Sequence, residues 1–236
     1  MSVFKFKEFT IIQKVSPLKV GTDSMLLGSF ISSDSKLQGL DLGAGTGVLS
    51  LMLAQKNQKL QIDAVEIDVN VANECDLNFQ NSKWRKNLSC ISVDYLQFPF
   101  KKKYDLIFSN PPYHFENILS PDSGVNISKH SLLSDYIQFF KLVKQLLTEN
   151  GDFWIILPFS SLDQLTKLAN EQGLFLKEYI CIHSKPSKKN IRVILNFSSQ
   201  KQDAIREREF VIRNENNLYS EEYIALTKDF HSKDLC

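Results

Sequence analysis

The chain has 236 residues, 43% of them hydrophobic and 23% charged, and its 28 basic against 27 acidic side chains leave a formal charge of +1. This is the composition of a soluble globular protein with apolar side chains enough for a sizeable core. The near-zero balance excludes a global basic field, so any nucleic-acid partner must be met by a local patch. The four cysteines, Cys75, Cys90, Cys181 and Cys236, are scattered, with neither CxxC nor Cys/His spacing. That argues against a zinc site and a disulfide framework and fits a reducing compartment. The N-terminus has no apolar targeting core and no stretch approaches a membrane span, so a cytoplasmic protein without a metal is expected.

Residues 1–20 carry Phe4, Phe6, Phe9, Ile11 and Ile12 in partial alternation with polar residues, which predicts a short hairpin or extended arm. Lys19-Val20-Gly21-Thr22-Asp23-Ser24 is turn-like, and Thr22 or Asp23 can cap the apolar segment 25–30. A regular pattern follows. Strands are predicted at 37–42, 61–67, 88–93, 104–109, 151–157, 174–183 and 191–197. Helices are predicted from 48, over 70–81 with Val71, Cys75, Leu77 and Asn78 near one side, over 132–147, and from Ser160 or Ser161 to Gln172 with Gly173 as its stop. The tail holds Phe210 to Arg213 and then Tyr219-Ser220-Glu221-Glu222-Tyr223, where Ser220 can cap a final helix.

Strands alternating with helices predict a doubly wound α/β sheet, parallel and covered on both faces. The last two of the seven strands are joined only by a short loop containing Lys185-Pro186-Ser187-Lys188-Lys189. A parallel crossover needs a dozen or more residues, so the last strand should run antiparallel. With no repeat or low-complexity linker, the simplest reading is one domain over 1–236, with an N-terminal arm and cap helix over 1–36 and a core over 37–236.

Four strand ends carry candidate chemistry. The first leads through Asp41 into Gly43-Ala44-Gly45-Thr46-Gly47. Glycines spaced by one residue let a ligand lie on the backbone, and an acid before them suits a cation better than a phosphate; a tight strand–helix turn is the other reading. Glu66 ends the second strand, 19 residues after Gly47, where an acid can receive a ribose diol. Asp94 follows the third and could accept from an exocyclic amine. The fourth runs into Asn110-Pro111-Pro112-Tyr113. Two prolines stop the strand and leave carbonyls without partnering N–H groups, between an amide and an aromatic ring. Alone, the tetrad reads equally as a stiff loop and as a clamp for a planar amine. Placed in register with three other polar strand ends, it reads as the clamp, because ligands of open α/β sheets bind at the carboxyl ends of strands.

These residues, from Asp41 through Gly47 with Glu66, Asp94 and Asn110 to Tyr113, resemble the class I S-adenosylmethionine-dependent methyltransferases that methylate amino groups. With Lys19-Val20-Gly21-Thr22-Asp23 and the ending from Tyr219 to Thr227, the whole chain resembles the bacterial tRNA (adenine-N6) methyltransferases that modify adenine 37 in the anticodon loop of a valine tRNA. The resemblance implies a Rossmann-like seven-stranded sheet and S-adenosyl-L-methionine as cofactor. It implies that Asp41 and the turn of Gly43, Gly45 and Gly47 hold the methionine half, that Glu66 takes the ribose and Asp94 the adenine amine, and that Lys19, Gly21 and Thr22 close over the carboxylate end. Asn110 and Pro111 then accept the two N6 hydrogens, Pro112 stiffens the turn, and Tyr113 stacks on the extruded base.

Candidate RNA contacts are Lys101 to Lys103, Lys83/Arg85/Lys86, Lys185/Lys188/Lys189/Arg192 and Arg206/Arg208, each of which can equally be a solvated face. The segment His114–His130 is expected to be a substrate loop; Lys129-His130 stands where the family tends to carry Arg before an aromatic or His, and Lys lacks the bidentate fork of Arg. The enzyme is expected to be a monomer. Competing readings are a glutamine-N5 methyltransferase of release factors, a guanine-N2 rRNA methyltransferase, and a non-catalytic scaffold of the same fold. The first family carries a helical domain before the glycine loop, whereas the residues before 37 here are few and strand-like. The second often has Phe in place of Tyr113, and a scaffold would be expected to have lost the tetrad or the acids.

Overall fold

The repeating strand–helix pattern builds one large sheet between two helical layers, seen here in a computed structural model that describes residues 2–111, 126–232 and 235, with 126–132 by backbone alone. An antiparallel hairpin of β1 (Val3–Lys5) and β2 (Thr10–Ile12) precedes helix α1 (Thr22–Phe30). Then come β3 (Gln38–Leu42), α2 (Val48–Lys56), β4 (Gln61–Glu66), α3 (Val69–Gln80), β5 (Leu88–Ser92) and β6 (Tyr104–Ser109). The second half holds α4 (Asn126–Leu146), β7 (Leu147–Pro158), α5 (Leu162–Glu171), β8 (Phe175–His183), β9 (Asn190–Ser198), β10 (Arg206–Val211) and α6 (Glu221–Thr227).

The sheet order is β10-β8-β9-β7-β6-β3-β4-β5. Every pair is parallel except those made by β9, which runs antiparallel to both β7 and β8. The short basic loop before β9 permits nothing else. The order reverses between β3 and β6: β4 and β5 are laid down on one side of β3, and β6 on the other. A crevice opens at such a switch point, at the carboxyl ends of the strands.

Alternation along the strands sends side chains to two cores. Leu106, Phe108, Trp154, Ile156, Ile180 and Ile194 face the layer of α1, α2, α3, α6 and the hairpin. Tyr104, Ile107, Phe153, Ile155, Leu195 and Phe197 face α4 and α5. Gly28 lets α1 and α2 meet closely, because a Cβ there would lie 2.7 Å from the Met52 sulfur.

Several expectations change. The sheet has an eighth strand, β10, paired parallel to β8; its Arg206-Glu207-Arg208-Glu209 run hides a strand because edge strands tolerate charge on their faces. Neither Thr22 nor Asp23 caps α1. Gly21 holds the N-cap position, and the hydroxyl of Ser24 closes the turn, receiving the Gly21 N–H (3.3 Å) and donating to the Gly21 carbonyl (3.0 Å). Ser161 holds the N-cap position of α5, but its side chain makes no capping hydrogen bond, and a 3-10 turn over Phe159–Ser161 leads into the helix. Leu77 is exposed, and the buried face of α3 carries Val71, Ala72, Glu74, Cys75, Asn78 and Phe79. Helix α4 starts at Asn126, within the expected 114–130 loop, so Lys129 and His130 belong to its backbone. Strand β7 begins at Leu147, which pairs with Tyr104. Ser220 does cap the last helix, accepting from the Tyr223 N–H at 3.0 Å.

Candidate active site

The pairing register brings Gly43, Glu66 and Asn110 to one level, with Asp94 two residues beyond it. Asp41 lies opposite Phe108 on one side and Ala64 on the other, so Gly43 and Asn110 each stand two residues beyond that level. Glu66 lies opposite Ser92, and Asp94 stands two residues beyond. The hydroxyl of Ser109 donates to the Leu42 carbonyl at 2.7 Å and ties the end of β6 to the end of β3.

The three glycines of the turn do different work. All have positive φ (75°, 55° and 77° at Gly43, Gly45 and Gly47). A Cβ on Gly43 would meet nothing within 4 Å, and one on Gly45 only the Ser16 hydroxyl at 3.8 Å. A Cβ on Gly47 would fall 2.5 Å from Phe79 and 2.7 Å from the Cys75 sulfur. Gly47 thus lets the helix pack on α3, whereas Gly43 and Gly45 leave bare backbone toward the crevice.

The acids are held from behind. Glu66 accepts from Gly45 N–H (2.9 Å) with one oxygen and from Asp68 N–H (3.1 Å) with the other. Asp94 accepts from Leu96 N–H and from the Gln97 amide, both at 2.9 Å. Each carboxylate oxygen keeps a second lone pair. Asp41 is 1% exposed; its Oδ2 accepts from Ser50 Oγ at 2.7 Å and its Oδ1 is buried without a protein partner among the described residues. Burial pushes its carboxyl up to about 7, against the Ser50 hydrogen bond, with the nearby Glu66 charge adding to the rise. An orphaned buried carboxylate oxygen beside open glycine backbone fits a cationic group.

Asn110, half-buried at the end of β6, lines two connected spaces. A recess over Gly43, Ala44, Gly45 and Thr46 shares Leu18, Lys19, Ser24 and Asn110 with a cleft of about 600 Å³. The cleft is walled by Thr22 and Asp23 of α1, by Ser184, Ile191 and Arg192 at the β8–β9 turn, and by Ile212 and Arg213 after β10. Glu66 and Asp94 lie on the β4–β5 side of the switch point and the cleft on the other, with Asn110 between. Lys19, Gly21 and Thr22 do reach this place, all three lining the cleft and Lys19 the recess as well. The Lys19 ammonium donates to the carbonyls of Gln13 and Ser16, both at 2.7 Å, which folds the arm onto itself. Pro111 is half-buried; Pro112 and Tyr113 lie outside the described residues.

Sequence reasoning missed the residues that hold the arm. Glu74, 6% exposed, accepts from the backbone N–H of Lys14 (2.5 Å), Val15 (2.9 Å) and Ser16 (3.0 Å). Asn78 accepts from Ile12 N–H and donates to the carbonyls of Ile12 and Thr46. The available signal was a charged residue at helical spacing between Val71 and Asn78, on a face that should be apolar. It missed Arg213 as well. Among the described residues, the Cys, His and acid side chains with ligand spacing, Cys181, Glu207 and Glu209, sit on β8 and β10 at the sheet edge and line neither space.

The family model described as methyltransferase small domain matches residues 16–170. The tRNA1(Val) (adenine(37)-N6)-methyltransferase of Bacteroides fragilis is 35% identical over 233 residues, 98% of each chain. That of Tolumonas auensis is 36% identical over 229 residues, 97% of this chain and 96% of its own. In fold, the chain resembles a predicted O-methyltransferase of Agrobacterium tumefaciens (TM-score 0.68, 15% identity, 90% and 98% covered). It also resembles a glycopeptide N-methyltransferase solved with S-adenosylmethionine (TM-score 0.56, 12% identity, 77% and 89% covered). With near-complete coverage at this identity and a matching family model, the chain belongs to the tRNA1(Val) (adenine(37)-N6)-methyltransferase family.

Proposed function

We propose that the protein transfers a methyl group from S-adenosyl-L-methionine to N6 of an adenine in a tRNA anticodon loop, adenine 37 of a valine tRNA. The observation that carries this reading is Asn110, a side-chain amide at the strand end shared by the recess and the cleft. The cofactor supplies an electrophilic sulfonium methyl. Gly43 and Gly45 offer it bare backbone, Asp41 and Gly47 shape the turn beneath, Glu66 receives its ribose and Asp94 its adenine amine. Lys19, Gly21 and Thr22 form the wall opposite.

An adenine N6 lone pair is delocalised into its ring, so the group needs reshaping rather than deprotonation before attack. The Asn110 side-chain oxygen and the Pro111 carbonyl accept its two hydrogens. That draws the nitrogen toward tetrahedral geometry and fixes the lone pair in the direction of the recess, and one of the two hydrogens would leave to solvent as a proton after N6 gains the methyl. Pro112 keeps the turn stiff and Tyr113 stacks on the flipped base, a contact worth roughly 1–3 kcal/mol. An unpaired loop base costs less to extrude than a duplex base, which favours an anticodon loop. The protein works as one methyltransferase unit over 1–236, a monomer in the cytoplasm. Among the described residues no helix is long and apolar enough to cross a membrane.

Tritiated-methyl transfer offered separately to tRNA, rRNA and release factor tests the reading. Label should enter tRNA alone, at N6 of adenine on nuclease digestion. Labelled release factor with unlabelled tRNA would overturn it in favour of glutamine-N5 chemistry. Asn110→Ala should lower methyl transfer by at least about 100-fold while cofactor binding by calorimetry stays within twofold (roughly 0.4 kcal/mol). A fully active variant would rule out the amide clamp.

A further inference from the structure

Four basic patches were candidates for RNA contact, and sheet polarity sorts them. Lys101 to Lys103 lead into β6, Lys83, Arg85 and Lys86 precede β5, and Arg206 opens β10. All three groups therefore sit toward the amino edge of the parallel strands, away from Asn110. Several are also engaged there: Lys83 with Glu8, Lys102 with Asp63, and Arg206 and Arg208 near Glu178. Only the group from Lys185 to Arg192 stands at the carboxyl edge, because β9 starts where β8 ends.

Arg213 joins that group from the tail. The backbone past β10 is pinned, with Ile212 N–H donating to His183 O (2.9 Å) and Arg213 N–H to Ser184 O (3.1 Å). The chain then doubles back so that Arg213 bridges Tyr219 in antiparallel pairing, turning through Asn217 at φ 67°. The guanidinium lies 4.0 Å from the Tyr219 ring centroid and donates through Nη1 to the Asn217 carbonyl at 2.7 Å. Tyr219 in turn stacks on the buried Tyr223, with centroids 4.6 Å apart and planes 9° from parallel. Glu215 braces the neighbouring loop by accepting from the N–H and hydroxyl of Ser187.

We infer that the tRNA backbone crosses the 600 Å³ cleft with a phosphate on Arg213, and that the Tyr219–Tyr223 motif is the device that sets this guanidinium into the cleft wall. Stacking and the single carbonyl contact use one face and one N–H of Arg213 and leave the rest of its planar fork for a phosphate. The arginine is pre-oriented, so less rotamer freedom is lost on binding. Tyr219 acts through Arg213 as a positioning residue. This inference rests on the tRNA reading above.

The test measures tRNA affinity by fluorescence anisotropy, alongside methyl-transfer kinetics, in the full chain. Arg213→Ala should weaken tRNA binding and raise KM about tenfold, lower the log–log salt slope by about 0.7, and leave cofactor affinity and kcat within twofold. Tyr219→Leu keeps apolar bulk against Tyr223 but removes the stack, and should show the same KM shift. Tyr219→Phe should restore near wild-type binding. The Tyr219→Leu/Arg213→Ala double variant should be no worse than Arg213→Ala, since both changes remove one contact. Arg208→Ala, at the far edge, should match wild type. Arg213→Ala with unchanged affinity, or multiplying effects in the double variant, would overturn the inference. A wild-type protein that binds tRNA with this Arg213 dependence but does not methylate it would sink the functional reading and leave the inference standing; one that binds no tRNA would sink both.

Discussion

Asp41 carries a carboxyl that folding has made reluctant to ionise. Its folded pKa of about 7 lies above its ordinary 3.8, so the folded chain holds the proton more tightly than the unfolded one. The sign follows from linkage: stability falls as pH rises through that window and levels off above it. The denaturation free energy of Asp41→Asn relative to wild type should therefore grow from pH 4.5 to 7.5 and then stay constant. A pH-independent difference would mean that Asp41 ionises freely. The ionised form is also the one suited to a cationic ligand. Wild-type affinity for S-adenosylmethionine should strengthen about tenfold between pH 6 and 8, with Asp41→Asn flat over the same range. Calorimetry at three pH values reads both.

Between elements, the decisive contact is the clasp of α3 on the arm. One buried carboxylate gathers three consecutive N–H groups, those of the exposed Lys14 and Val15 and of the buried Ser16, and Asn78 adds the Ile12 and Thr46 contacts one turn on. Glu74→Ala should cost about 1–3 kcal/mol in chemical denaturation, because it removes three hydrogen bonds to a buried carboxylate, one of them from the buried Ser16 N–H. It should also speed proteolysis within residues 13–20 and raise the cofactor KM, since the released segment leads directly to Lys19, Gly21 and Thr22. Normal stability and an intact arm would show that the clasp is incidental. Glu74 also marks where sequence reading stops. Strand ends were legible because their chemistry is local: Asp41, Glu66, Asp94 and Asn110 follow apolar runs whose period reveals the strand. The clasp joins residues 58 to 60 positions apart, so a charge on the apolar face of α3 marks Glu74 as unusual but nothing local shows which backbone it holds. Strand β10 was obscured for a related reason, its pairing to β8 being visible only once the edge is built.

For the molecule as a whole, a formal charge of +1 means that tRNA meets no long-range attractive field. What it meets is an asymmetry between the two edges of the sheet. Lys185, Lys188, Lys189, Arg192 and Arg213 stand at the carboxyl edge, where Arg192 and Arg213 line the cleft with Asn110, and Arg192 is already paired with Asp23 at 3.1 Å. Only a few of these charges can neutralise phosphates, because the other basic groups stand at the opposite edge of the sheet and Arg192 is already engaged. With about three to five phosphates displacing counterions from a single-stranded loop, the log–log slope of tRNA affinity against salt should lie at roughly −2 to −4. A sheet-wide basic surface would give a far steeper slope, and recognition by base contacts alone a slope near zero. With the cofactor at the proposed site on the β3–β4–β5 side, its affinity should barely move over the same salt range. Anisotropy titrations of tRNA from 50 to 300 mM salt, run beside calorimetry of the cofactor, separate these outcomes. A steep slope that survives neutralising Lys185, Lys188 and Lys189 together would place the RNA on another face and remove the link between the cleft and Asn110.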